Sequence, residues 1–398
     1  MPTSRTARPI PPTLWTARCR HAGSDAADVV LGTLERLKDS RVLDDYLEVT
    51  GTDVTAEGGA DGTGRRRVFE ARWRVDGSEP ATVPVRARLE LAPAAEGAQE
   101  WLLVAEAERH WDENWPSPAT MFWPDTPDSP WDHDTTTGLR VRDLNPLPDD
   151  DRAVRRLLRD AGRSAWGVHV VVHEAHTPDE RGRVPLTRHL PPGLRHRVVE
   201  HRAAPQQLRV VNWALRTLDV EVPRGGALVL PGSPAPAGYR AGAFSVRAVF
   251  LDGSAPAELV AAVTAYAALD RELPEDADRA LTALREQWHL LTLEEQLARE
   301  RRLVTMYAEA LEAMTKSRDL YREAAEAAGE ALAALREAHD AGSGPDALGT
   351  SRPGSLPVPF PAPASPLRHL TRTLERFKAK GRHPAAPGTG NVVEQDPR

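Results

Sequence analysis

The sequence predicts an α+β protein: an N-terminal, mainly antiparallel sheet with a helix, a middle β-α-β-β-α-β (ferredoxin-like) unit, a long C-terminal helical hairpin or coiled-coil segment, and a disordered basic tail. Three observations support this class. Three segments before residue 110 alternate apolar and polar residues, as half-exposed antiparallel strands do. Segments between residues 139 and 231 follow the order of a split βαβ unit. Residues 293–339 keep helical spacing with no breaker except Gly329.

The first predicted domain, residues 1–110, combines one helix with several strands. A strand is predicted at residues 14–20, and a helix at residues 25–38, where apolar residues recur every three or four positions. The three alternating strands are predicted at residues 68–75, 83–91 and 101–108. A connector rich in Trp, Pro and Asp follows at residues 111–138, and we expect its tryptophans to pack on the neighbouring domains.

The second predicted domain, residues 139–272, contains the β-α-β-β-α-β unit. Its strands are predicted at residues 139–144, 166–173, 194–201 and 227–230, and its helices at residues 149–160 and 205–218. Pro205 suits the first turn of its helix, because the missing N–H has no intrahelical partner there. A further strand at residues 243–251 and a helix at residues 256–269 complete the domain.

A helical region is predicted at residues 273–341. The segment Thr292-Leu-Glu-Glu295 is a capping box that begins a long helix. The helix has a heptad seam, interrupted by Glu300 and Arg318. The seam consists of Leu297, Val304, Tyr307, Leu311, Met314, Tyr321, Ala325, Ala328, Leu332 and Leu335. Its partner is either the helix at residues 276–291, the α/β body, or a second copy, which would make a homodimer through residues 293–339.

The C-terminal part is predicted to be a tethered basic helix. Residues 342–366 form a Gly-, Ser- and Pro-rich linker, and residues 367–398 form an amphipathic helix followed by a disordered end. The predicted partner-binding residues of this helix are Leu367, Leu370, Arg372, Leu374, Arg376, Phe377, Lys378 and Lys380. Such a segment could bind a groove on a protein partner, an anionic membrane or nucleic acid.

Composition excludes several classes of protein. The chain has 398 residues, of which 40% are apolar, and no stretch approaches the roughly 18–20 apolar residues of a membrane span. The first residues lack the apolar core of a secretory signal. The single cysteine, Cys19, excludes a disulfide framework and a Cys-based zinc finger. We therefore expect a cytoplasmic protein, and the Arg-, Ala-, Pro- and Gly-rich composition resembles proteins of high-GC bacteria such as actinobacteria.

Histidines are concentrated in the middle domain, and they raise the hypothesis of a metal site. His169, His173 and His196 are the candidate ligands, because zinc requires two or three histidines on one face with a carboxylate. The spacing is not that of a helical HExxH motif. We therefore favour a structural role over a metal-dependent hydrolase.

Arginines are concentrated at residues 181–209, and they raise the hypothesis of nucleic-acid binding. Arg195, Arg197, Arg202 and Arg209 would form a basic face on the sheet. The predicted strands at residues 139–144 and 194–201 contain no aromatic side chain on which a base could stack. Only four of the 51 Lys and Arg residues are lysines, so genomic codon bias explains most of the enrichment.

No nucleophile elbow, Walker A loop, dinucleotide-binding loop or kinase motif is present, and the sequence predicts no catalytic residue and no cofactor. The function that it favours is a non-catalytic adaptor, which recruits a protein partner through the long helix and the basic tail. Nucleic-acid binding is the first alternative and a histidine-ligated hydrolase is the second.

Overall fold

The computed structural model describes residues 8–49, 66–77, 82–174, 184–249 and 256–342. Its strands are β1 (Leu14–His21), β2 (Leu43–Val49), β3 (Arg67–Asp76), β4 (Thr82–Pro93), β5 (Gln99–Ala107), β6 (His133–Asp134), β7 (Leu144–Pro146), β8 (Val168–His173), β9 (Val198–Ala203), β10 (Ala227–Val229) and β11 (Ser245–Val246). Its α-helices are α1 (Ala26–Asp39), α2 (Ala119–Phe122), α3 (Asp151–Ala161), α4 (Leu208–Leu215), α5 (Ala257–Ala267), α6 (Glu275–Glu286) and α7 (Leu293–Gly342).

The chain divides into two compact units, Met1–Met306 and Tyr307–Arg398. The described part of the first unit contains a six-stranded and a five-stranded sheet. The described part of the second unit is the C-terminal portion of α7. The protein is therefore α+β with a large antiparallel sheet and a long C-terminal helix, as the sequence predicts at this level. The six-part domain division of the sequence stays a prediction.

The first sheet has the strand order β2-β3-β4-β5-β1-β6, and every neighbouring pair is antiparallel. The strands predicted at residues 14–20, 68–75, 83–91 and 101–108 are confirmed as β1, β3, β4 and β5. The sequence does not predict β2. This strand lies at the sheet edge and contains three acidic residues, which is a common protection of an edge but hides the alternating pattern.

Both faces of the first sheet are covered. One face packs on α1 through large side chains that include Trp15, Phe69 and Trp73. On the other face, Leu102 and Val104 pack against α6. The face that alternation predicts as half-exposed is therefore partly buried, and its charged residues need buried partners.

The Trp-rich connector packs tightly within the first unit. Trp123 and Trp131 have no exposed surface, and their rings stack at 5.9 Å. The indole N–H of Trp101 donates to the carbonyl of Trp131 at 2.8 Å, and that of Trp131 donates to the carbonyl of Pro124 at 2.9 Å. The tryptophans thus supply both apolar area and hydrogen bonds to a segment without long regular structure.

The second sheet has the order β11-β10-β8-β9-β7. The predicted succession β-α-β-β-α-β is present as β7, α3, β8, β9, α4 and β10. The prediction of a ferredoxin-like unit is nevertheless wrong. In a ferredoxin-like unit, the second and third strands are antiparallel neighbours and the fourth strand pairs with the first. Here, β8 and β9 are parallel and β10 pairs with β8. Residues 174–197 separate β8 from β9, which is long enough for the connection that parallel neighbours need.

Two layers of helices cover the second sheet. Val171 of β8 and Leu228 of β10 face α3 and α4, whereas Val170 and Val172 of β8 face α5. Two predicted strands are displaced or shortened. The strand expected at residues 139–144 begins only at Leu144, and the one expected at residues 243–251 is reduced in the described residues to Ser245–Val246.

The last two helices do not form the predicted hairpin. The buried residues of α6, including Leu281 and Leu284, pack on the first sheet, so its apolar face is not available to α7. Helix α7 begins at Leu293 as predicted and continues to Gly342 without a break. No helix in the described part of the chain is both long and apolar enough to cross a membrane.

Candidate functional site

The three histidines of the metal hypothesis have separate structural partners. The Nδ1 atom of His173 accepts a hydrogen bond from the Gly225 amide at 2.9 Å, so its Nε2 donates to the carbonyl of Pro205 at 3.2 Å. His173 therefore joins the end of β8 to the turn before β10. His196 packs on Trp131 with ring centroids 4.9 Å apart, and neither ring nitrogen has a hydrogen-bond partner among the described residues.

His169 pairs with a histidine that the metal hypothesis did not include. Its Nδ1 lies 3.0 Å from Nε2 of His201 on the neighbouring strand β9, and its Nε2 lies 4.0 Å from Asp134. Burial lowers the pKa of His169 against an opposing attraction by Asp134. Burial, with a smaller effect of His169, holds the pKa of His201 well below its usual range. Both rings are thus neutral at pH 7.

The structure does not bring the predicted metal ligands together. Over the described ranges, no group of three or more His, Cys, Asp or Glu side chains is placed to hold a metal ion. Adjacent strands and turns use the rings of His169, His173 and His196 as hydrogen-bonding and packing groups, and a metal site at these residues stays a prediction.

Two of the four arginines of the predicted basic face at residues 181–209, Arg197 and Arg202, are buried, and residues 181–183 lie outside the described residues. Strand β9 begins at Val198, so Arg195 lies in the preceding turn, and β9 lies between β8 and β7 under helices. Arg197 lies 3.6 Å from Glu113, and Arg202 lies 2.6 Å from Glu200. Of the four candidates, Arg209 on α4 is the one with an exposed side chain. Arg197 and Arg202 are therefore buried beside carboxylates and are not available to bind phosphate at the surface.

The tail residues proposed for partner binding lie outside the described residues. They are Leu367, Leu370, Arg372, Leu374, Arg376, Phe377, Lys378 and Lys380.

The start of α7 is held by hydrogen bonds and ion pairs. The predicted capping box is confirmed, since the Thr292 amide donates to Glu295 at 2.8 Å and the Glu295 amide donates to the Thr292 hydroxyl at 3.2 Å. Arg72 of β3 donates to the same Glu295 carboxylate at 2.7 Å. Nearby, the fully buried Glu70 accepts from the His289 amide at 3.0 Å and from Arg88 at 3.1 Å.

The apolar side chains of α7 form the first candidate functional surface. From Leu293 to residue 341, no side chain of this helix is buried. The helix carries eleven of the fourteen large apolar side chains that are exposed among the described residues, with exposed fractions of 49–79%. A single helix rarely exposes so many large apolar groups unless another chain covers them.

The second candidate surface is a groove on α3 and α4, which we call the arginine groove. It is lined by Arg152, Arg155, Arg156, Arg159, Trp213 and Arg216. Sequence reasoning missed it. The sequence did contain one sign of the groove, because the arginines of α3 lie on the helix face opposite the buried Val154 and Leu158. The groove forms only where α4 packs beside α3, which the spacing in one helix does not predict.

Gly162 follows the last residue of α3 and lies against the turn after α4. A Cβ atom at this position would lie 2.5 Å from Leu218 Cδ1, at the end of a flexible side chain.

Comparison with known proteins identifies no relative: no family model matches the chain, and neither a curated protein nor a solved structure matches it significantly.

Proposed function

We propose that the protein is a non-catalytic cytoplasmic adaptor that self-associates through the seam of α7 and recruits a protein partner through its basic segment at residues 367–380. The observation that carries the proposal is the exposure of the apolar side chains along α7. The single cysteine, Cys19, is buried and free, which fits a reducing compartment. The metal and sheet-face alternatives lose their support, because their residues serve as internal partners.

Heptad spacing of the seam residues supports this pairing. One series of positions is Leu297, Val304, Leu311, Arg318, Ala325 and Leu332, and the other is Leu293, Glu300, Tyr307, Met314, Tyr321, Ala328 and Leu335. These are the a and d positions of a coiled coil. Each series contains one charged residue, so each series constrains how a second helix can pack. Arg318 contacts only its neighbour Asp319 among the described residues.

The two charges favour an antiparallel pair of identical helices. In a parallel pair in register, Glu300 would face Glu300 and Arg318 would face Arg318, which places like charges in the seam. In an antiparallel pair, a positions face d positions, so Arg318 can face Glu300 of the second copy, twice by symmetry. One register achieves this, and the polar residues then specify both orientation and alignment.

That register also matches the apolar layers. It places Leu297 against Tyr321, and Val304 against Met314, between residues of opposite copies. Near the centre of the pair, Tyr307 meets Leu311. The Ala-rich end of the helix beyond Ala325 is left outside the pairing.

Charge exchange tests this association. We expect full-length protein to be dimeric in analytical ultracentrifugation, and both Glu300→Arg and Arg318→Glu to raise the dissociation constant about tenfold or more, because each creates two like-charge contacts. The double variant should restore dimerisation. Lys316→Glu, an exposed change off the seam, is the matched control. A monomer at all concentrations, or a double variant no better than the singles, would refute the register.

Cysteine cross-linking provides a second test of orientation. Val304→Cys with Met314→Cys should form a disulfide between copies under oxidation, whereas Met314→Cys alone should not. Efficient cross-linking by the single variant would instead indicate a parallel pair.

The recruitment part of the proposal is tested separately. Full-length protein and a chain ending at residue 345 would be compared in pull-downs from the native host. A near-stoichiometric protein that is lost on truncation supports recruitment by the tail. Recovery of both forms without a partner contradicts it.

A further inference from the structure

We propose that the arginine groove binds single-stranded nucleic acid, with its arginines on the phosphates and Trp213 stacked against a base. This inference is independent of α7. It rests on the charge of the groove, on an exposed aromatic ring at its edge, and on the absence of competing ion pairs within the described residues.

The groove is strongly and locally positive. Five arginines line it against one carboxylate, Asp150. That carboxylate is the N-cap of α3 and accepts the amide of Ala153 at 2.7 Å, so it is already engaged. Within the described residues, none of the five arginines forms an ion pair with an acidic side chain. Arginines elsewhere in this unit do so, as Arg88 does with Glu70. The groove is therefore net positive and attracts polyanions, whereas the carboxylates of Asp149, Asp151 and Glu221 line the adjoining surface beside Arg155, Trp213 and Arg216.

The geometry of Arg155 and Trp213 prepares the site for a base. The Arg155 guanidinium lies 4.2 Å from the Trp213 ring centroid, and its Nε donates to the Asp151 carbonyl at 2.9 Å. The ring is thus fixed by a cation on one face, yet half of the Trp213 residue surface remains exposed. An exposed indole beside guanidinium groups is the combination that binds an unpaired base and its phosphates.

The chemistry favours a single strand over other polyanions. Guanidinium groups bind phosphate oxygens in a planar, two-pronged manner. A duplex keeps its bases stacked on each other and would leave Trp213 unused. An anionic membrane would need more apolar side chains to insert, whereas Trp213 is the one large exposed apolar residue on α3 and α4.

The test is binding of the full chain to fluorescent oligothymidine of about 16 nucleotides, followed by anisotropy at several salt concentrations. Arg156→Ala with Arg159→Ala should weaken binding about tenfold or more. It should also reduce the salt slope by about 1.4, because each phosphate contact contributes about 0.7 on a single strand. The control, Arg240→Ala with Arg247→Ala, removes two exposed arginines elsewhere and should change neither value.

The base contact is tested by changing the ring alone. Trp213→Ala should weaken binding about tenfold, because it removes the ring on which a base stacks, and should leave the salt slope unchanged. Trp213→Phe should retain most of the affinity. All substituted residues have exposed side chains, and thermal melting verifies the fold of each variant.

Four results would overturn the proposal. These are an absence of salt-sensitive binding, an equal loss in the Arg240 and Arg247 control, tighter binding to a duplex of the same length, and polyphosphate binding as tight as oligothymidine with no effect of Trp213→Ala. Binding to vesicles of anionic lipid that Arg156→Ala with Arg159→Ala abolishes, without binding to oligothymidine, would assign the groove to a membrane instead.

Discussion

At the scale of single residues, three buried histidines couple the stability of the fold to pH. Burial lowers the pKa of His169, His196 and His201, and nearby arginines lower that of His196 further. In the unfolded chain these rings titrate near pH 6.5. Below that value the unfolded state binds more protons than the folded state, so stability falls as the pH falls.

We expect the urea concentration at the midpoint of unfolding to fall as the pH is lowered from about 7.5 to about 5.5. Each histidine should reduce the free energy of unfolding by up to about 1.4 kcal/mol per pH unit. His196→Phe should flatten this dependence, because the ring stacks on Trp131 and its nitrogens have no partner among the described residues. The phenylalanine should cost little at neutral pH. If the urea midpoints of the wild-type chain and this variant fall equally with pH, His196 does not contribute to the pH dependence of stability.

At the scale of elements, the cap of α7 has a measurable local effect. Thr292 and Glu295 exchange hydrogen bonds, and Arg72 fixes the same carboxylate. Because none of the described side chains of α7, from Leu293 to residue 341, is buried, the first turn gains little from packing and depends on the cap.

We expect Thr292→Ala to destabilise this turn by about 1 kcal/mol and to accelerate hydrogen exchange of the Glu295 and Gln296 amides about fivefold. Thr305→Ala is the matched control, since Thr305 lies in the middle of the same helix and bonds only to the Arg301 carbonyl. That change should not accelerate exchange. Equal acceleration by both substitutions would refute the role of the cap.

The same scale explains what the sequence could predict. Strands β1, β3, β4 and β5, the cap and the start of α7 follow from local periodicity and capping chemistry, so pattern reading finds them. The strand order of the second sheet depends on which strand a long connection reaches, and no local pattern encodes that choice. The seam of α7 was predictable as a stripe on one helix. The arginine groove was not, because Trp213 and Arg156 come together only when α3 and α4 pack.

At the scale of the whole molecule, the folding core and the proposed pairing seam occupy different parts of the described chain. The hydrophobic clusters among the described residues end at Leu291 and include no side chain of α7. The folding core therefore lies within the first unit, whereas most of the proposed pairing seam lies beyond Met306. Stability and self-association should respond to different truncations.

We expect a chain ending at residue 306 to melt within about 2 °C of the full-length protein, less than the shift that a loss of 1 kcal/mol would cause in a large domain. This shorter chain should be monomeric, because it lacks the seam residues Tyr307 and Leu311. It also lacks Arg318, which is proposed to pair with Glu300 of the second copy. A chain ending at residue 345 keeps the whole seam and should remain dimeric. Calorimetry and ultracentrifugation on the three chains measure the two properties independently. A large loss of melting temperature at residue 306 would mean that α7 contributes to the core, and the exposure of its seam could then no longer support self-association.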